Sequence, residues 1–536
     1  MRRHYSLAFL LAAPLCAQSN AVPGLDIFMH DVGSPTVAGR RGSAYPGGEA
    51  GVIIGHSMCN IGTVHLPWLG WVGGSSTGVM LDTYPKIAFL LARESNGRMI
   101  QVSGKSHLKH SRVAFNFTTG PCAPCQSGPT NTFRIGCGDV YSTGFNGNQY
   151  NLGPTDEIDP WLGSWNPVGS YFDRGDPSVG GAAAVDGIQS LTTTGFDTVK
   201  NRMVVQEADL VLPGTFYGQN HLMIKGEPVS NRGNNLISHA LTFSWSGTSW
   251  SAALAGGASV GGSVLTRWTG AATNTGGNGV DDGRFLVAVK VTGPTNGFWH
   301  YEYAVHNLDN ARGGASLRVP MCATARVQNV GFHDIDADPL DQWVGSHVGG
   351  EFAFLASATN PLDWNCIYNF WFDCDAAPVP GNVSIDEARI GPGALTVTVP
   401  SQVPGLLGTE FLGAGCGAPA PVVFANGVPM SPNAGYAIQA TVAPAGFFVL
   451  AFTSGLANVS LGSGCTLFLD GSLLLQSNLV QANAAGAASW ALPIPAALPP
   501  TDIFCQAFEL VTGGPVLGFL AASNGLRIRA GGTGCP

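Results

Sequence analysis

Lys86-Ile-Ala-Phe-Leu-Leu-Ala-Arg-Glu-Ser95, then Asn96-Gly97, then Arg98-Met-Ile-Gln-Val-Ser103, is the stretch that decides the fold. Two β-rich runs flank an Asn-Gly pair, which supplies the two positive φ angles of a tight two-residue turn, so the segment predicts a β-hairpin. Similar runs recur at 203–212, 236–245, 285–291, 298–305 and 350–356. None is embedded in a long 3.6-residue periodicity, so helices are not expected to carry the architecture. Between the runs lie clusters of Gly, Ser, Asn and Pro, such as 255–262 and 273–279, which read as surface loops.

Composition changes after Val379-Pro380-Gly381 and the stretch 390–405. From Ser401 onward the charged residues are Glu410, Asp470, Asp502, Glu509, Arg527 and Arg529, with neither His nor Lys. Strand-like runs at 436–441, 447–453, 466–469, 488–492 and 503–510 alternate there with turn signals, the spacing of an antiparallel β-sandwich. The expected architecture is therefore mostly β. A large antiparallel β-sandwich-like domain over 22–395 precedes a smaller β-sandwich over 396–536. With so few ionisable groups, the smaller module suits an accessory, attachment or stabilising role.

The chain of 536 residues is long enough for several cores, and only 11% of it is charged against about 25% in an average soluble domain. Its 74 glycines and formal charge of −9 complete the picture of a polar, uncharged surface. Nucleic acid is not an expected partner, because no cluster of Lys and Arg is present to neutralise phosphates. Arg2 and Arg3, the apolar run 7–15 and small residues around 17–21 read as a signal peptide over 1–21, which predicts secretion to the outside or to the cell surface. No later segment reaches the roughly 20 apolar residues of a spanning helix. Export makes disulfides the expected fate of cysteines. Cys16 falls in the leader, and the remaining eleven are odd in number, leaving at least one unpaired or bound elsewhere. Disulfide candidates are Cys122, Cys125, Cys137, Cys366, Cys374, Cys416, Cys465, Cys505 and Cys535. Two bridges are possible inside the carboxy-terminal module. Cys122-Ala-Pro-Cys125 with Cys137 suits two disulfides better than a zinc site or a redox pair, since no βαβ context surrounds it.

Several segments resemble a group of large secreted proteins of environmental bacteria, planctomycetes among them. They are Cys59-Asn-Ile-Gly-Thr63, His107-Leu-Lys-His110, Cys122 with Cys125, Leu152-Gly-Pro154, Trp299-His-Tyr-Glu-Tyr303 with His306-Asn-Leu308, Gly331-Phe-His-Asp334 and Tyr368-Asn-Phe370. The carboxy-terminal module, ending in Gly525-Leu526 and Gly534-Cys-Pro536, is similar to a terminal domain used repeatedly in planctomycete secreted proteins. The resemblance implies a β-rich exported protein and supplies no catalytic residues.

Chemistry concentrates in three places. Strand alternation over 298–307 puts His300, Glu302 and His306 on one face and Trp299, Tyr301 and Tyr303 on the other. Such a face can hold a cation or act as a paired acid and base. Its plainer reading is a half-buried strand with the aromatics inward and the polar face in solvent. His107 and His110, three apart, point to opposite faces of a strand, leaving Lys105, His107 and Lys109 as a polar strand face. Asp334, Asp336 and Asp338, continuing to Asp341, alternate as oxygen ligands for calcium do, although Pro339 and Gly345 break the EF-hand pattern. Asp281 and Asp282 are a weaker pair of the same kind.

Two Gly-x-Ser-x-Gly matches, at Ser76 and Ser259, are expected by chance in so glycine-rich a chain, as is Arg174-Gly175-Asp176. Trp161, Trp165, Tyr171 and Phe172 suit stacking on sugars, or plugging the underside of a loop. The reading that follows is a binding or structural protein at or outside the cell surface, directed to polysaccharide or another envelope component. The alternative is an extracellular hydrolase or metal-dependent enzyme using His300, Glu302 and His306.

Overall fold

The computed structural model describes residues 21–531, apart from 119, 181–183, 280–282, 337, 406 and 407. Residues 1–20 of the expected signal peptide, with Cys16 among them, and Cys535, Asp281 and Asp282 lie outside the described residues. About half of the chain, 51%, is strand and 7% helix, and the sheet pairings are antiparallel.

The Asn-Gly segment forms the hairpin its sequence demands. Lys86–Ser95 pairs with Arg98–Gln101, and Asn96 and Gly97 take φ values of 52° and 80°. This hairpin belongs to an eight-stranded sheet whose central strands are Lys86–Ser95, Thr215–Met223 and Leu236–Trp245. A four-stranded sheet built on Ile27–Gly42 and Gly48–Asn60 packs against it. Met29, Val52 and Ile54 meet Ile87, Phe89, Leu222 and Ile237 in a shared core. The run 203–212 is strand only over Met203–Gln206 and then turns into the short helix Glu207–Leu210.

The region 22–395 holds a second core. Two five-stranded sheets face each other there, one containing Arg284–Thr295, Phe298–Asn307 and Cys366–Cys374, the other Ser316–Pro320, Glu351–Leu355 and Pro378–Asp386. Tyr301, Tyr303, Phe352, Phe354, Phe370 and Phe372 fill the space between them. The segment 273–279, read as a loop from its glycines, is largely the strand Ala272–Gly277. It is an edge strand, and pairing along one side with Arg284–Thr295 holds it extended despite the poor intrinsic preference of glycine. Strand Thr396–Pro404 pairs with Pro378–Asp386, so this sandwich extends past residue 395.

The carboxy-terminal module is a sandwich with its own core of Val423, Ile438, Phe448, Leu450, Phe452 and Ile528. Its sheets contain Phe447–Thr453, Thr501–Gly514 and Gly518–Ala530 on one side and Val422–Ala425, Ala437–Thr441 and Ala487–Ala491 on the other. Four of its charges pair, Arg527 reaching both Asp502 and Glu410 and Arg529 reaching Asp502, while Glu509 accepts from Ala443 N and Asp470 from Ser472.

Among the described residues, disulfides join Cys59 to Cys122, Cys125 to Cys137 and Cys416 to Cys465. Cys122 and Cys125 thus bond to different partners, which leaves no place for a redox pair or a zinc site between them. Three candidates are corrected: Cys366, Cys374 and Cys505 are free and buried. Cys366 and Cys374 mark the two ends of one extended strand, roughly 26 Å apart at the usual rise, far beyond bonding reach. Cys505 points into the apolar core of the last sandwich.

Candidate functional site

The aromatic face of Phe298–Asn307 packs inward, as strand alternation requires, with Tyr301 and Tyr303 fully buried. Most of the polar face does not meet solvent, His300 near its start being the half-exposed exception. The hairpin of the first unit lies across it, and Leu90, Ala92 and Met99 pack against Leu286, Ala288, Ala304 and Ile367. Polar side chains fix that contact: Asn369 Nδ2 donates to Met99 O at 2.9 Å, and Ile367 N donates to Gln101 Oε1 at 2.9 Å. Trp268 Nε1 donates to Gly97 O at 2.8 Å and holds the turn itself.

Where the hairpin tip lifts from the sheet, a cleft of about 510 Å³ opens, lined by Arg93, Ser95, Asn96, Gly97, Arg98, Ile100, Lys290, Thr292, His300 and Glu302. Register explains how the sheet supplies its half. Glu302 stands opposite Lys290 on one neighbour and Trp371 on the other, while His300 stands opposite Thr292 and Asp373.

His300 Nδ1 lies 2.7 Å from Asp373 Oδ1 and Nε2 lies 3.2 Å from Glu302 Oε2. The hydrogen bond to Glu302, reinforced by Asp373, raises the imidazole pKa above its ordinary value even though burial opposes it. Glu302 is only 4% exposed, and the same Oε2 accepts from Arg98 Nη2 at 2.5 Å. Its Oε1 is buried with no hydrogen-bond partner among the described residues. Arg98 in turn stacks on Trp371, whose indole lies where Gly331 has no side chain.

His306 is separate from this site. Six residues along the strand, roughly 20 Å away at the usual rise, it is buried against Ser263 Oγ at 2.8 Å from Nδ1. Burial, with His221 nearby, pushes its pKa down to about 3. The expected trio therefore reduces to His300 and Glu302, joined by Asp373, Arg98, Arg93 and Lys290 from elements distant in sequence.

Asp334, Asp336 and Asp341 bring carboxylate oxygens within 4.8 Å of one another, whereas Asp338 stands outside and accepts from Leu340 N. Asp334 is 2% exposed and bonded through both oxygens, to Asp336 N and Asn360 Nδ2, which explains it as a brace for the loop. Lys109 is not on a solvated face. It is buried, close to Tyr141, and burial lowers its pKa to about 7. Lys105 is exposed and His107 half-buried.

Trp161, Trp165 and Phe172 are buried beneath their loop, the plugging role, while Tyr171 and Arg174 line a separate cavity. Ser259, given no weight as a nucleophile, donates to Asp31 Oδ1 at 2.5 Å and lies 3.0 Å from His239 Nδ1. The hydroxyl, rather than the imidazole, sits in the middle, and His239 Nε2 donates to Ala255 O, so no carboxylate orients that ring.

No protein-family model and no curated protein matches the chain.

Proposed function

We propose that this is a secreted or cell-surface binding protein whose cleft between the 86–101 hairpin and the adjoining sheet takes a hydroxyl-rich ligand, a polysaccharide or another envelope component. The observation that carries this reading is Glu302. Its carboxylate is nine-tenths buried at the cleft, and one oxygen lacks a partner among the described residues. A buried acceptor left without a donor is unfavourable by about 1–3 kcal/mol, and because Oε1 has almost no accessible surface, a ligand hydroxyl recovers that energy by displacing the side chains that cover it at the cleft wall. Ser95, Asn96 and Thr292 add neutral polar groups around it, which is how saccharide hydroxyls are usually met.

Three disulfides among the described residues suit an oxidising compartment, and no described helix is long and apolar enough to cross a membrane. The geometry does not favour an acid–base enzyme. Both nitrogens of His300 are engaged by carboxylates, so neither is free for a substrate, and His306 is too distant to assist.

The test is binding of the purified mature chain to an array of neutral and acidic oligosaccharides, with Glu302→Gln as the comparison. Binding weakened about tenfold by that change supports the reading. Absence of binding to every saccharide, with the fold intact, overturns it.

A further inference from the structure

Resting on that reading, we infer that the saccharide carries an anionic substituent, a carboxylate or sulfate group, held at the Lys290 side of the cleft. Three cations, Arg93, Arg98 and Lys290, line the cleft against the single carboxylate of Glu302, in a chain whose formal charge is −9.

Two of these cations are already engaged. Arg93 donates through Nη1 to Asp209 O at 2.6 Å and lies 3.5 Å from its carboxylate. Arg98 is held by Glu302 and Trp371. Lys290 is half-buried and has no ion pair among the described residues. Its ammonium lies under the hairpin turn, where a side chain at Gly97 would come within 3.6 Å of Nζ. An anionic oxygen entering beside Thr292 would meet this unpaired ammonium and gain a charge-assisted hydrogen bond.

Protonation of His300 strengthens the preference. Around it stand Glu302 on its own strand, Lys290 and Thr292 on one neighbour, and Asp373 and Trp371 on the other. Arg98 and Arg93 face it from the hairpin, with Asp209 behind Arg93. Glu94 on the same hairpin accepts from Thr269 N, and His333 lies beyond Arg93 and Arg98. Counting Glu302, Asp209 and Asp373 against Arg93, Arg98 and Lys290, this inner set is neutral when His300 is neutral and carries one positive charge when it is protonated. Anion binding should therefore tighten as pH falls through the raised pKa of His300.

The experiment is titration calorimetry at pH 6 and pH 8.5 with three probes: an oligogalacturonate, a chondroitin sulfate oligosaccharide and neutral cellohexaose. Lys290→Gln is compared with the intact protein and with Lys225→Gln, a surface lysine paired to Asp82 away from the cleft. The expected result is that at least one acidic probe binds tenfold or more tightly than cellohexaose, and more tightly at pH 6. Lys290→Gln should abolish that preference and Lys225→Gln should keep it. The two acidic probes distinguish a carboxylate from a sulfate. Equal binding of cellohexaose and both acidic probes, or a preference that survives Lys290→Gln, overturns the anionic assignment while leaving saccharide binding in place. Binding of none of the three, together with a blank saccharide array, overturns both.

Discussion

The Arg98 guanidinium lies 3.7 Å from the centre of the Trp371 indole, and the two side chains come from different sandwiches. Their contact ties a residue of the cleft wall, Arg98, to the neighbouring strand. Arg98 reaches over the ring to Glu302, so one side chain satisfies a buried carboxylate and caps an aromatic face. The cleft is thus a product of docking between two units, and its geometry depends on the hairpin keeping its place on the sheet.

Replacing Arg98 with Ala removes the arginine from the buried Glu302 and leaves His300 as its remaining ion partner. Breaking a fully buried pair is unfavourable by about 3–5 kcal/mol, and partial exposure of Arg98 lowers the expected loss to about 2 kcal/mol. Urea unfolding at neutral pH checks this. Unchanged stability would show that water reaches Glu302 and supports its charge.

Gly331 should be intolerant of even one methyl group. A Cβ there would fall 2.1 Å from the Trp371 ring, which is also held by the Arg98 guanidinium 3.7 Å from its centre. Gly331→Ala is expected to destabilise by about 1–3 kcal/mol, the usual range for overpacking. In a Trp371→Ala background the same change should have little effect, and a double-mutant cycle measures the difference.

The hairpin was readable because Asn96-Gly97 fixes a local backbone geometry, and the inward aromatics were readable because alternation is a property of any strand. What lies over the other face of Phe298–Asn307 was not readable. That depends on Leu90, Ala92 and Met99 arriving from a different sandwich, and nothing in the local pattern distinguishes a face covered by protein from one covered by water. Lys290, Trp371 and Asp373 escaped notice for the same reason, since each is an ordinary strand residue until sheet register sets it beside His300 or Glu302. Lys109 misled because charge on a strand usually marks solvent. The glycines of Ala272–Gly277 misled because sheet pairing overrides their preference.

Lys109 should oppose folding at acidic pH. Burial lowers its pKa to about 7, against about 10.4 in an unfolded chain, so the fold favours the neutral amine. The associated stability is intact above the unfolded value, declines as pH falls below it, and is lost once pH has passed through about 7. Lys109→Met keeps the bulk and removes the charge. It is expected to stabilise by about 2–4 kcal/mol at pH 6 and by less than half of that at pH 9.5. Paired urea titrations at the two pH values decide the matter, and an equal gain at both would mean that the ammonium is solvated in the native state.

The cysteines should divide sharply by reactivity. Cys366 and Cys374 are buried, with thiol pKa values pushed up to about 12, and burial raises that of Cys505 as well. A thiol so protected carries little of the reactive thiolate, so iodoacetamide should leave all three unlabelled in the native protein and label them in urea. The bonded cysteines should label only after reduction. Replacing Cys416 and Cys465 together with Ala opens a span of 49 residues and should reduce stability by about 4 kcal/mol on the chain-entropy account. The shorter Cys125–Cys137 span of 12 should contribute about 3 kcal/mol. Peptide mapping by mass spectrometry reads the labelling, and unfolding of the paired variants reads the energies. Native labelling of Cys366 or Cys374 would mean that the sheet beneath the cleft opens, because both thiols lie on the strand that carries Trp371 and Asp373.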